Sequence, residues 1–338
     1  MLLLAWWQRS APHAERKRAI GVALLVIALG QGLAAWMLAD QWGWGQIALC
    51  LAAGAAAAWL ADLLVQRHSR RRALSVVAAV LAIALWFLAG HALLSRLYRA
   101  PAPVAGAPVV TMLTGLPLRW GGGDIAEMIA AGARDDPALA RIDAAGPVAL
   151  VDSLVDHVPP PGGTLLLAHP RALAPRELVA VDAFVRGGGR AVILADALSG
   201  WPAPRPLGDP RNPPVTSLLT PLLDHWGVTL GAAPVGETAA QAYDVDGFRL
   251  RLFSAGRFER LPPGCSVFAG RRIAHCPIGA GEVWLVGDAD LLFAPLWQAA
   301  APGAHHLRRA DTMEWLDARL RGERAGRALM HPIWISAR

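Results

Sequence analysis

The sequence predicts an α/β fold with a parallel sheet, preceded by an N-terminal three-helix transmembrane anchor. Two observations support this prediction: a strand–helix–strand pattern in residues 164–196, and three long apolar segments near the N-terminus. The pattern begins with the apolar run Thr164–Ala168, which stops at His169, and ends with a second run, Arg190–Ala195, which stops at Asp196. Neither run alternates polar with apolar residues, as is typical of strands that are covered on both faces.

The residues between the two runs predict a helix. Pro175 suits the first turn of a helix, and Glu177 favours the positive end of the helix dipole. Gly187–Gly189 then end the helix. Because crossovers between parallel strands are almost always right-handed, the pattern predicts one βαβ unit of a parallel sheet. The predicted helix has one apolar face, formed by Leu178, Val181, Phe184 and Val185.

The three apolar segments lie at about residues 19–39, 45–65 and 73–94. Each is long enough to cross the ~30 Å hydrocarbon layer of a membrane as a helix. The hydrophobic content of the whole chain, 54%, is also higher than that of ordinary soluble enzymes. We therefore predict two domains, a transmembrane anchor in residues 1–100 and an α/β domain in residues 101–338.

Basic residues flank the apolar segments unevenly. Arg and Lys precede the first segment at positions 9–18 and fill the connection Arg67–Arg72, whereas the connection Asp40–Trp44 has none. Because cytoplasmic loops are enriched in Lys and Arg, the N-terminus and Arg67–Arg72 should lie in the cytoplasm. Three crossings then place the chain after about Arg99 in the periplasm, as the C-terminal domain of a multi-pass protein of the bacterial inner membrane. A cleaved signal peptide is the competing interpretation, but two further apolar segments follow the first.

The formal net charge of +6 does not indicate nucleic-acid binding. Residues 1–100 hold ten Lys and Arg against three Asp and Glu, which leaves 22 basic and 23 acidic residues in 101–338. The basic excess therefore lies beside the membrane segments. We expect the lipid bilayer as a partner, and no nucleic acid.

The α/β domain begins with a predicted buried strand, Val109–Thr114. Gly121–Gly123 then lead through Asp124 into a short amphipathic helix, Ile125–Ala131. A glycine run between a strand and a helix can bind phosphate, but this spacing matches neither the dinucleotide fingerprint nor a P-loop, so a flexible turn is the preferred interpretation. The remaining predictions are one strand and a short helix within 139–143 and 148–154, a Pro-rich loop at 201–214, and helices at 217–226 and 312–321.

From Tyr243 onward the pattern changes to short strands, consistent with an antiparallel β-hairpin extension of the sheet. Gly270-Arg271 suits a two-residue hairpin turn, and counting outward from it sets Cys265 opposite Cys276. Opposed residues on antiparallel strands lie at a distance that a disulfide can span, and a periplasmic domain would keep such a bond oxidised. We therefore predict a Cys265–Cys276 disulfide; two unpaired core cysteines are the competing interpretation. The strands of this part are predicted at 248–253, 265–269, 272–276 and 282–286.

Polar residues stand at the ends of several predicted strands. In open α/β sheets, ligands bind beyond the carboxyl ends of the strands. His169, Asp196, Asp288 and Asp290 each end a predicted strand, with Arg171 close by in sequence, and they are therefore candidates for one ligand crevice. Clustered carboxylates can bind a cation or a polar group. The competing interpretation is that the aspartates cap the loops that follow them.

The sequence contains no recognisable catalytic or metal-binding motif. A hydrolase of the amidotransferase type needs a nucleophile on a tight turn after a strand, but Thr164–Ala168 is followed by His169-Pro170, and no G-x-S-x-G sequence or equivalent Cys turn is present. His305-His306 is the densest histidine cluster and lacks metal-ligand spacing. We therefore predict no catalytic residues, no metal and no cofactor.

Three pieces of the sequence resemble one family: Leu116-Pro117-Leu118, residues 165–196 together with the later SLLTPLLDHWGVTL, and the closing GAGEVWLVGDADLL. They resemble the extracytoplasmic domain of gliding-motility-type (GldG-like) auxiliary proteins of ABC transport systems, and a related uncharacterised membrane-anchored family, over roughly residues 108–320. The resemblance implies a flavodoxin-like, doubly wound sheet similar to that of class I glutamine amidotransferases. It also implies an accessory subunit rather than a catalyst. Three spans before the domain, with no clear span after it, depart from the GldG-like pattern.

We therefore expect a non-enzymatic inner-membrane protein whose periplasmic amidotransferase-like domain binds a membrane protein partner, such as the permease or ATPase of an ABC-type transport or envelope assembly. One alternative is a domain that senses a saccharide or peptide ligand, which a deep crevice with an aromatic wall would favour. The other is an amidotransferase-like hydrolase that uses the strand-end acids, which a convergent nucleophile and base would favour. A flat apolar patch would favour partner binding.

The charge asymmetry predicts the result of topology mapping. Alkaline phosphatase fused after Arg99 should be active in intact cells, because that enzyme needs the oxidising periplasm to form its disulfides. Fusions within Arg67–Arg72 should be inactive. The reverse pattern would contradict both the three-span topology and the periplasmic position of the domain.

Overall fold

A computed structural model describes residues 11–39, 42, 44–67, 77, 80, 81, 84, 85, 106–119, 135–203, 205, 206, 208, 209, 211–298 and 308–322. The chain divides into two compact units, one built mainly on Met1–Arg99 and the other mainly on Ala100–Gln298 and Ala310–Arg327. The first unit contains helices α1 (His13–Ala39) and α2 (Trp44–Arg67). In chain order the second unit contains β1 (Val110–Thr114), α3 (Pro137–Ala145), β2 (Val148–Leu150), β3 (Thr164–Ala168), α4 (Pro175–Arg186), β4 (Arg190–Leu194), α5 (Thr220–His225), β5 (Thr229–Leu230), β6 (Gln241–Val245), β7 (Phe248–Leu252), β8 (Phe258–Arg260), β9 (Ser266–Phe268), β10 (Ile273–Ile278), β11 (Gly281–Val286), α6 (Ala294–Trp297) and α7 (Thr312–Arg321).

Helix α1 contains a segment, Ala14–Met37, that is long and apolar enough to cross a membrane, and no other helix among the described residues meets both conditions. Helix α2 contains a shorter apolar segment, Ile47–Ala61. A single such helix near the N-terminus is compatible with a membrane anchor and with a signal sequence. The predicted three-helix anchor is thus supported for one helix only. The third predicted span, 73–94, lies almost entirely outside the described residues.

Small residues allow α1 and α2 to pack closely. A Cβ atom on Gly54 of α2 would lie 2.8 Å from Cδ2 of Leu24 on α1. Two carbon atoms do not approach this closely, so a larger residue at position 54 would require the Leu24 side chain to move. Close packing through glycine and alanine is typical of paired membrane helices.

A seven-stranded sheet forms the centre of the second unit, in the order β2-β1-β3-β4-β11-β10-β9. The five strands from β2 to β11 are parallel, whereas β10 pairs antiparallel with both β11 and β9. Strand β3 has the predicted bounds, and α4 ends at Arg186, just before the three glycines. The prediction of an α/β fold with a largely parallel central sheet is confirmed.

Apolar side chains cover both faces of this sheet. Leu166 of β3 belongs to a core that also contains Leu139 of α3 and Trp315 of α7. Its neighbour Leu165 belongs to a second core, which contains Val181 of α4. Successive residues of a strand point to opposite faces, so a strand covered on both faces is apolar at every position.

Helix α7, which has the predicted bounds, is held against the sheet by aromatic and polar contacts. Trp315 meets Trp284 of β11 edge to face, with ring centroids 5.7 Å apart. The guanidinium group of Arg319 lies 4.3 Å from the centroid of the Trp284 ring. The hydroxyl group of Thr164 on β3 donates to the carbonyl oxygen of Leu320 (2.6 Å). The last described helix thereby closes one face of the sheet.

The two segments between β1 and β3 resolve into a helix followed by a strand. Residues 139–143 belong to α3, and only Val148–Leu150 form β2. The helix begins at Pro137 because the carboxylate of Asp136 accepts the backbone N–H of Ala138 (2.8 Å) and caps it. The cap and the proline explain why the helix comes first.

The helix predicted at 217–226 is shorter in the structure. It begins at Thr220, because the backbone N–H of Ser217 donates to the carbonyl oxygen of Asp196 (2.7 Å) and holds that residue beside the end of β4. The predicted helix Ile125–Ala131 lies outside the described residues.

Strands β9 and β10 form a hairpin with the predicted turn and register. The backbone N–H of Arg272 donates to the carbonyl oxygen of Ala269 (3.3 Å). Gly270 and Arg271 between them have φ values of 60° and 67°. Positive φ at both central residues gives a turn whose twist matches that of the flanking strands.

Cys265 and Cys276 are bonded to each other across this hairpin, with Cα atoms 4.2 Å apart. We expect this bond to stabilise the domain by ~2–3 kcal/mol, because it restricts the unfolded chain. The double variant Cys265→Ser/Cys276→Ser should lose about this free energy of unfolding in a denaturant titration. The matched control is Cys50→Ser, since Cys50 is a free cysteine of the first unit. Two thiols that are freely alkylated at positions 265 and 276 without prior reduction would contradict the pairing.

Candidate functional site

Acidic residues follow two neighbouring parallel strands at the point where each strand ends. Strands β4 and β11 pair with Leu194 opposite Val286, so Asp196 and Asp288 each lie two residues beyond the last pair. Asp290 follows at the start of a single 3₁₀ turn. Since the carboxyl ends of parallel strands meet at one edge of a sheet, the three side chains come together there.

The three aspartates form a buried group, which we call the acidic cluster: Asp196, Asp288 and Asp290. One carboxylate oxygen of each residue lies within 4.8 Å of the oxygens of the other two. Their exposed fractions are 0%, 0% and 2%. Burial of charged carboxylates is costly unless hydrogen bonds or an opposite charge compensate it.

Backbone N–H groups supply part of that compensation. The two carboxylate oxygens of Asp196 accept the N–H groups of Leu198 (3.0 Å) and Ala289 (3.1 Å). Oδ2 of Asp288 accepts the N–H of Phe253 at the end of β7 (2.7 Å). Oδ1 of Asp288 has no hydrogen-bond partner among the described residues. The aspartates thus bind three separate loops to the edge of the sheet. One buried oxygen, Oδ1 of Asp288, accepts no hydrogen bond among the described residues.

Asp290 fixes the loop that follows β4. Its Oδ2 accepts the backbone N–H of Gly200 (2.6 Å), and its Oδ1 accepts the hydroxyl group of Ser199 (3.2 Å). A Cβ atom on Gly200 would lie 2.8 Å from Oδ2, so glycine permits this approach. The indole Nε1–H of Trp201 then donates to the carbonyl oxygen of Ala289 (3.5 Å), which places Trp201 beside the acidic cluster.

The environment of the acidic cluster favours protonated carboxyl groups. Burial, followed by repulsion from Asp290, raises the pKa of Asp196 to about 7. Burial raises the pKa of Asp290 to about 6, against the opposing effect of its hydrogen bonds. Burial and repulsion from the other two carboxylates raise the pKa of Asp288 well above its usual range. At neutral pH, the cluster therefore retains protons that ordinary aspartates have lost.

His169 lies at the end of β3 but does not join the acidic cluster. Its Nε2–H donates to the carbonyl oxygen of Pro214 (2.8 Å), and its backbone has a φ of 48°. Burial lowers the pKa of His169, so the imidazole is neutral, and its Nδ1 has no partner among the described residues. A Cβ atom on Gly115 would lie 2.7 Å from the carbonyl oxygen of His169, so glycine is required where β1 ends beside it.

The predicted crevice therefore separates into two parts. Asp196, Asp288 and Asp290 converge, whereas His169 is bound to the 211–217 segment and Arg171 is exposed. The backbone conformation of His169 could not be foreseen from the sequence, and it decides which way the imidazole ring points.

Sequence analysis did not identify the groups that hold the cluster in place. The hydroxyl group of Ser199 and the N–H groups of Gly200 and Phe253 all contact its carboxylates. Ser199 and Gly200 carry a weak sequence signal, because they follow Asp196 at the start of the Pro-rich loop. Phe253 carries none, since a backbone N–H is present at almost every position.

Three converging carboxylates can share protons or hold a cation. Hydrolysis would also require a nucleophile in contact with a base. The only hydroxyl group hydrogen-bonded to a carboxylate of the cluster among the described residues is that of Ser199. Its partner is Asp290, and no described hydrogen bond joins it to His169. The described part of the site therefore lacks a nucleophile paired with a histidine.

The comparison with protein families gives one match. Residues 147–242 match a family of auxiliary proteins described as "ABC-type uncharacterized transport system". The matched segment includes the βαβ unit, Asp196 and α5. No curated protein sequence matches the chain. The match covers 96 of the 338 residues.

Solved structures show only distant similarity. An exo-β-1,4-mannosidase from Opitutaceae bacterium strain TAV5 is 14% identical, with 63% of this chain and 36% of that chain covered and a TM-score of 0.38. A β-galactosidase from Bacillus circulans sp. alkalophilus is 13% identical, with 67% and 32% covered and a TM-score of 0.33. A putative ThuA-like protein from Parabacteroides merdae ATCC 43184 is 12% identical, with 62% and 90% covered and a TM-score of 0.28. The chain spans about a third of the length of the two glycosidases, and these similarities do not identify its activity.

The raised pKa values predict that pH affects stability in an unusual direction. The aspartates of the unfolded chain lose their protons near pH 4, whereas those of the folded cluster keep them up to about pH 6 to 7. The folded state then binds more protons, so the cluster's contribution to stability is complete below pH 4 and is lost as the pH rises to about 7. The free energy of unfolding of the wild type, measured with a chelator present, should therefore fall relative to that of Asp288→Asn across this range, by a few kcal/mol in total.

The control for this measurement is Asp224→Asn, which changes an exposed aspartate. Its stability curve should run parallel to that of the wild type between pH 4 and 7. Parallel curves for Asp288→Asn as well would mean that Asp288 does not retain its proton in the folded state.

Proposed function

We propose that this chain is an auxiliary subunit of an ABC-type transport system, anchored in the bacterial inner membrane, whose α/β domain binds a membrane protein partner and does not catalyse a reaction. The observation on which the proposal rests is the match of residues 147–242 to the family of transport auxiliaries. That segment contains strands β3 and β4, which lie in the middle of the sheet, and helix α4, which connects them. The similarity thus covers central strands of the sheet and not a peripheral loop.

The strand order supports a flavodoxin-like, amidotransferase-like domain of the GldG type. The parallel part of the sheet runs β2-β1-β3-β4-β11, which is the order 2-1-3-4-5 of flavodoxin-like proteins once the inserted strands are left aside. Helices α3 and α7 share the core on one face, and α4 and α5 share the core on the other. This two-sided arrangement is that of a doubly wound sheet.

The N-terminal unit supports attachment to the membrane. Ala14–Met37 is long and apolar enough to span the bilayer, and α2 packs on it through Gly54. The positive flanks of residues 9–18 and 67–72 favour a cytoplasmic N-terminus, a multi-pass anchor of three spans and a periplasmic domain. The bonded pair Cys265–Cys276 is consistent with an oxidising compartment.

The turn after β3 supports a role without catalysis. An amidotransferase-like enzyme needs a nucleophile and backbone N–H donors on such a turn. Here the turn has His169, whose Nε2 is bound to Pro214, and Pro170, which has no N–H. His169 therefore occupies the position that a nucleophile would take in such an enzyme, and its ring is held by the hydrogen bond to Pro214.

An exposed apolar surface beside the acidic cluster is a candidate contact for the partner. We call it the 198–218 patch: Leu198, Val215 and Leu218, which are 49%, 54% and 42% exposed. Two extended segments carry it side by side, since the N–H of Ser199 donates to the carbonyl oxygen of Val215 (2.9 Å). Large apolar side chains grouped on a surface are typical of protein contacts. All three residues lie within the segment that matches the transport family.

The proposal predicts which substitutions disrupt partner binding. A photo-crosslinking amino acid at Ser217 should capture a permease-type membrane protein in intact cells, identified by mass spectrometry. Val215→Asp and Leu218→Asp should abolish this capture, because interface energy concentrates in a few apolar anchors. Val179→Asp is the matched control, since Val179 is an exposed valine (68%) on α4, outside the patch.

The carboxylates of the acidic cluster should behave differently in the same assay. Asp288→Asn keeps the shape of the side chain and can replace an oxygen that accepts no hydrogen bond among the described residues, so it should leave partner capture and the cellular phenotype largely intact. Loss of the phenotype with partner capture unchanged would contradict a purely binding role and would indicate a catalytic site.

A further inference from the structure

We propose that the acidic cluster is a binding site for a hard divalent cation, held by Asp196, Asp288 and Asp290 at the carboxyl ends of β4 and β11. Nothing in the family match or in the proposed transport role assigns a metal to this chain. The proposal rests on the spacing of the oxygens, the missing opposite charge and one buried oxygen without a partner.

The spacing of the three carboxylates suits a single ion. One oxygen from each lies within 4.8 Å of the others. Ca²⁺ binds oxygen ligands at about 2.3–2.6 Å, so two ligands of one ion lie at most about 5 Å apart. Mg²⁺, with ligands at about 2.0–2.1 Å, needs oxygens no more than about 4.2 Å apart. The limit of 4.8 Å lies within the range for two oxygen ligands of one Ca²⁺.

The charge of the cluster has no counterpart in the described part of the chain. None of the ion pairs there includes Asp196, Asp288 or Asp290. By contrast, the buried arginine Arg321 is paired with Asp317. Buried charges in proteins are normally paired or coordinate a metal. A divalent cation would supply the missing positive charge at the point where the carboxylates meet.

A buried oxygen without a partner points independently to a ligand. Asp288 is fully buried, and its Oδ1 accepts no hydrogen bond within the described residues. Its Oδ2 accepts the N–H of Phe253 (2.7 Å), and the backbone N–H of Asp290 also favours the charged form of this carboxyl group. The other two carboxylates of the cluster each have an oxygen within 4.8 Å of an oxygen of Asp288, so a cation bound there has other carboxylates beside it.

The other two carboxylates are already held in position. Leu198 and Ala289 donate to Asp196, and Ser199 and Gly200 donate to Asp290. Each carboxylate oxygen can accept two bonds, so these contacts leave a lone pair for a metal. Groups that orient the ligands in this way commonly determine the affinity of a metal site.

The donor set selects the class of ion. The cluster offers carboxylate oxygens and neither thiolate nor imidazole among the described residues. Oxygen-only sites suit Ca²⁺, Mg²⁺ and Mn²⁺ rather than Zn²⁺ or copper.

Calcium titration of the full chain in detergent, after treatment with a chelator, tests the proposal. Isothermal titration calorimetry should show one saturable Ca²⁺ site in the wild type, and Ca²⁺ should raise its unfolding temperature. Asp288→Asn should weaken the affinity at least about tenfold, because it removes the charge at the unpartnered oxygen. Asp311→Asn is the matched control, since Asp311 is also buried (1%) and accepts a backbone N–H, that of Arg249 (3.0 Å), but lies outside the cluster. Its affinity for Ca²⁺ should equal that of the wild type.

Terbium luminescence locates the ion independently of stability. Tb³⁺ replaces Ca²⁺ at oxygen sites and emits light when a nearby tryptophan transfers energy to it. Trp201 lies beside the cluster, so Trp201→Phe should reduce the emission while Ca²⁺ affinity remains. Absence of saturable binding of Ca²⁺, Mg²⁺ and Mn²⁺ to the wild type would overturn the proposal. Equal Ca²⁺ affinity in Asp288→Asn, or unchanged terbium emission in Trp201→Phe, would also overturn it.

Discussion

The parallel pairing of β4 with β11 is the contact on which the rest of the domain depends. Arg190, at the start of β4, and Glu282, the second residue of β11, are 92 positions apart and form a side-chain ion pair (2.6 Å). The ladder then continues to Leu194 and Val286, both fully buried. This pairing gives β4 a neighbour on each side, provides β10 with a strand to pair with, and brings the two acidic strand ends together.

The same pairing creates an electrostatic cost at one edge of the sheet. Asp196 and Asp288 follow their strands at equivalent positions and therefore lie close together, and Asp290 joins them two residues later, at the start of the 3₁₀ turn. Their hydrogen bonds to backbone N–H groups hold the loops after β4, β7 and β11 close to the sheet. Bound protons or a bound cation neutralise the negative charge of the carboxylates that these hydrogen bonds do not compensate. The edge that organises the loops is therefore also the part of the domain that responds to its ionic environment.

Features that depend on neighbouring residues were predicted most closely. The bounds of β3 and α7 and the turn at Gly270-Arg271 agree with the structure, because periodicity, glycine and proline act within a few residues. The start of α5 was misplaced, because Ser217 is drawn into a contact with the carbonyl oxygen of Asp196 from a distant part of the chain. The strand-end residues were named in advance, but His169 separated from the others, because its left-handed backbone and its bond to Pro214 direct the ring elsewhere.

The sequence by itself determined the βαβ unit, the apolar N-terminal segment and the presence of acidic residues at strand ends, because each of these follows from local periodicity and charge. Only the tertiary structure decided that β11 lies beside β4 and that three of the five candidate residues form one buried cluster. It also decided that Oδ1 of Asp288 has no hydrogen-bond partner among the described residues. Those outcomes depend on backbone hydrogen bonds and on burial between segments up to about 90 residues apart, and neither is encoded in the spacing of neighbouring residues.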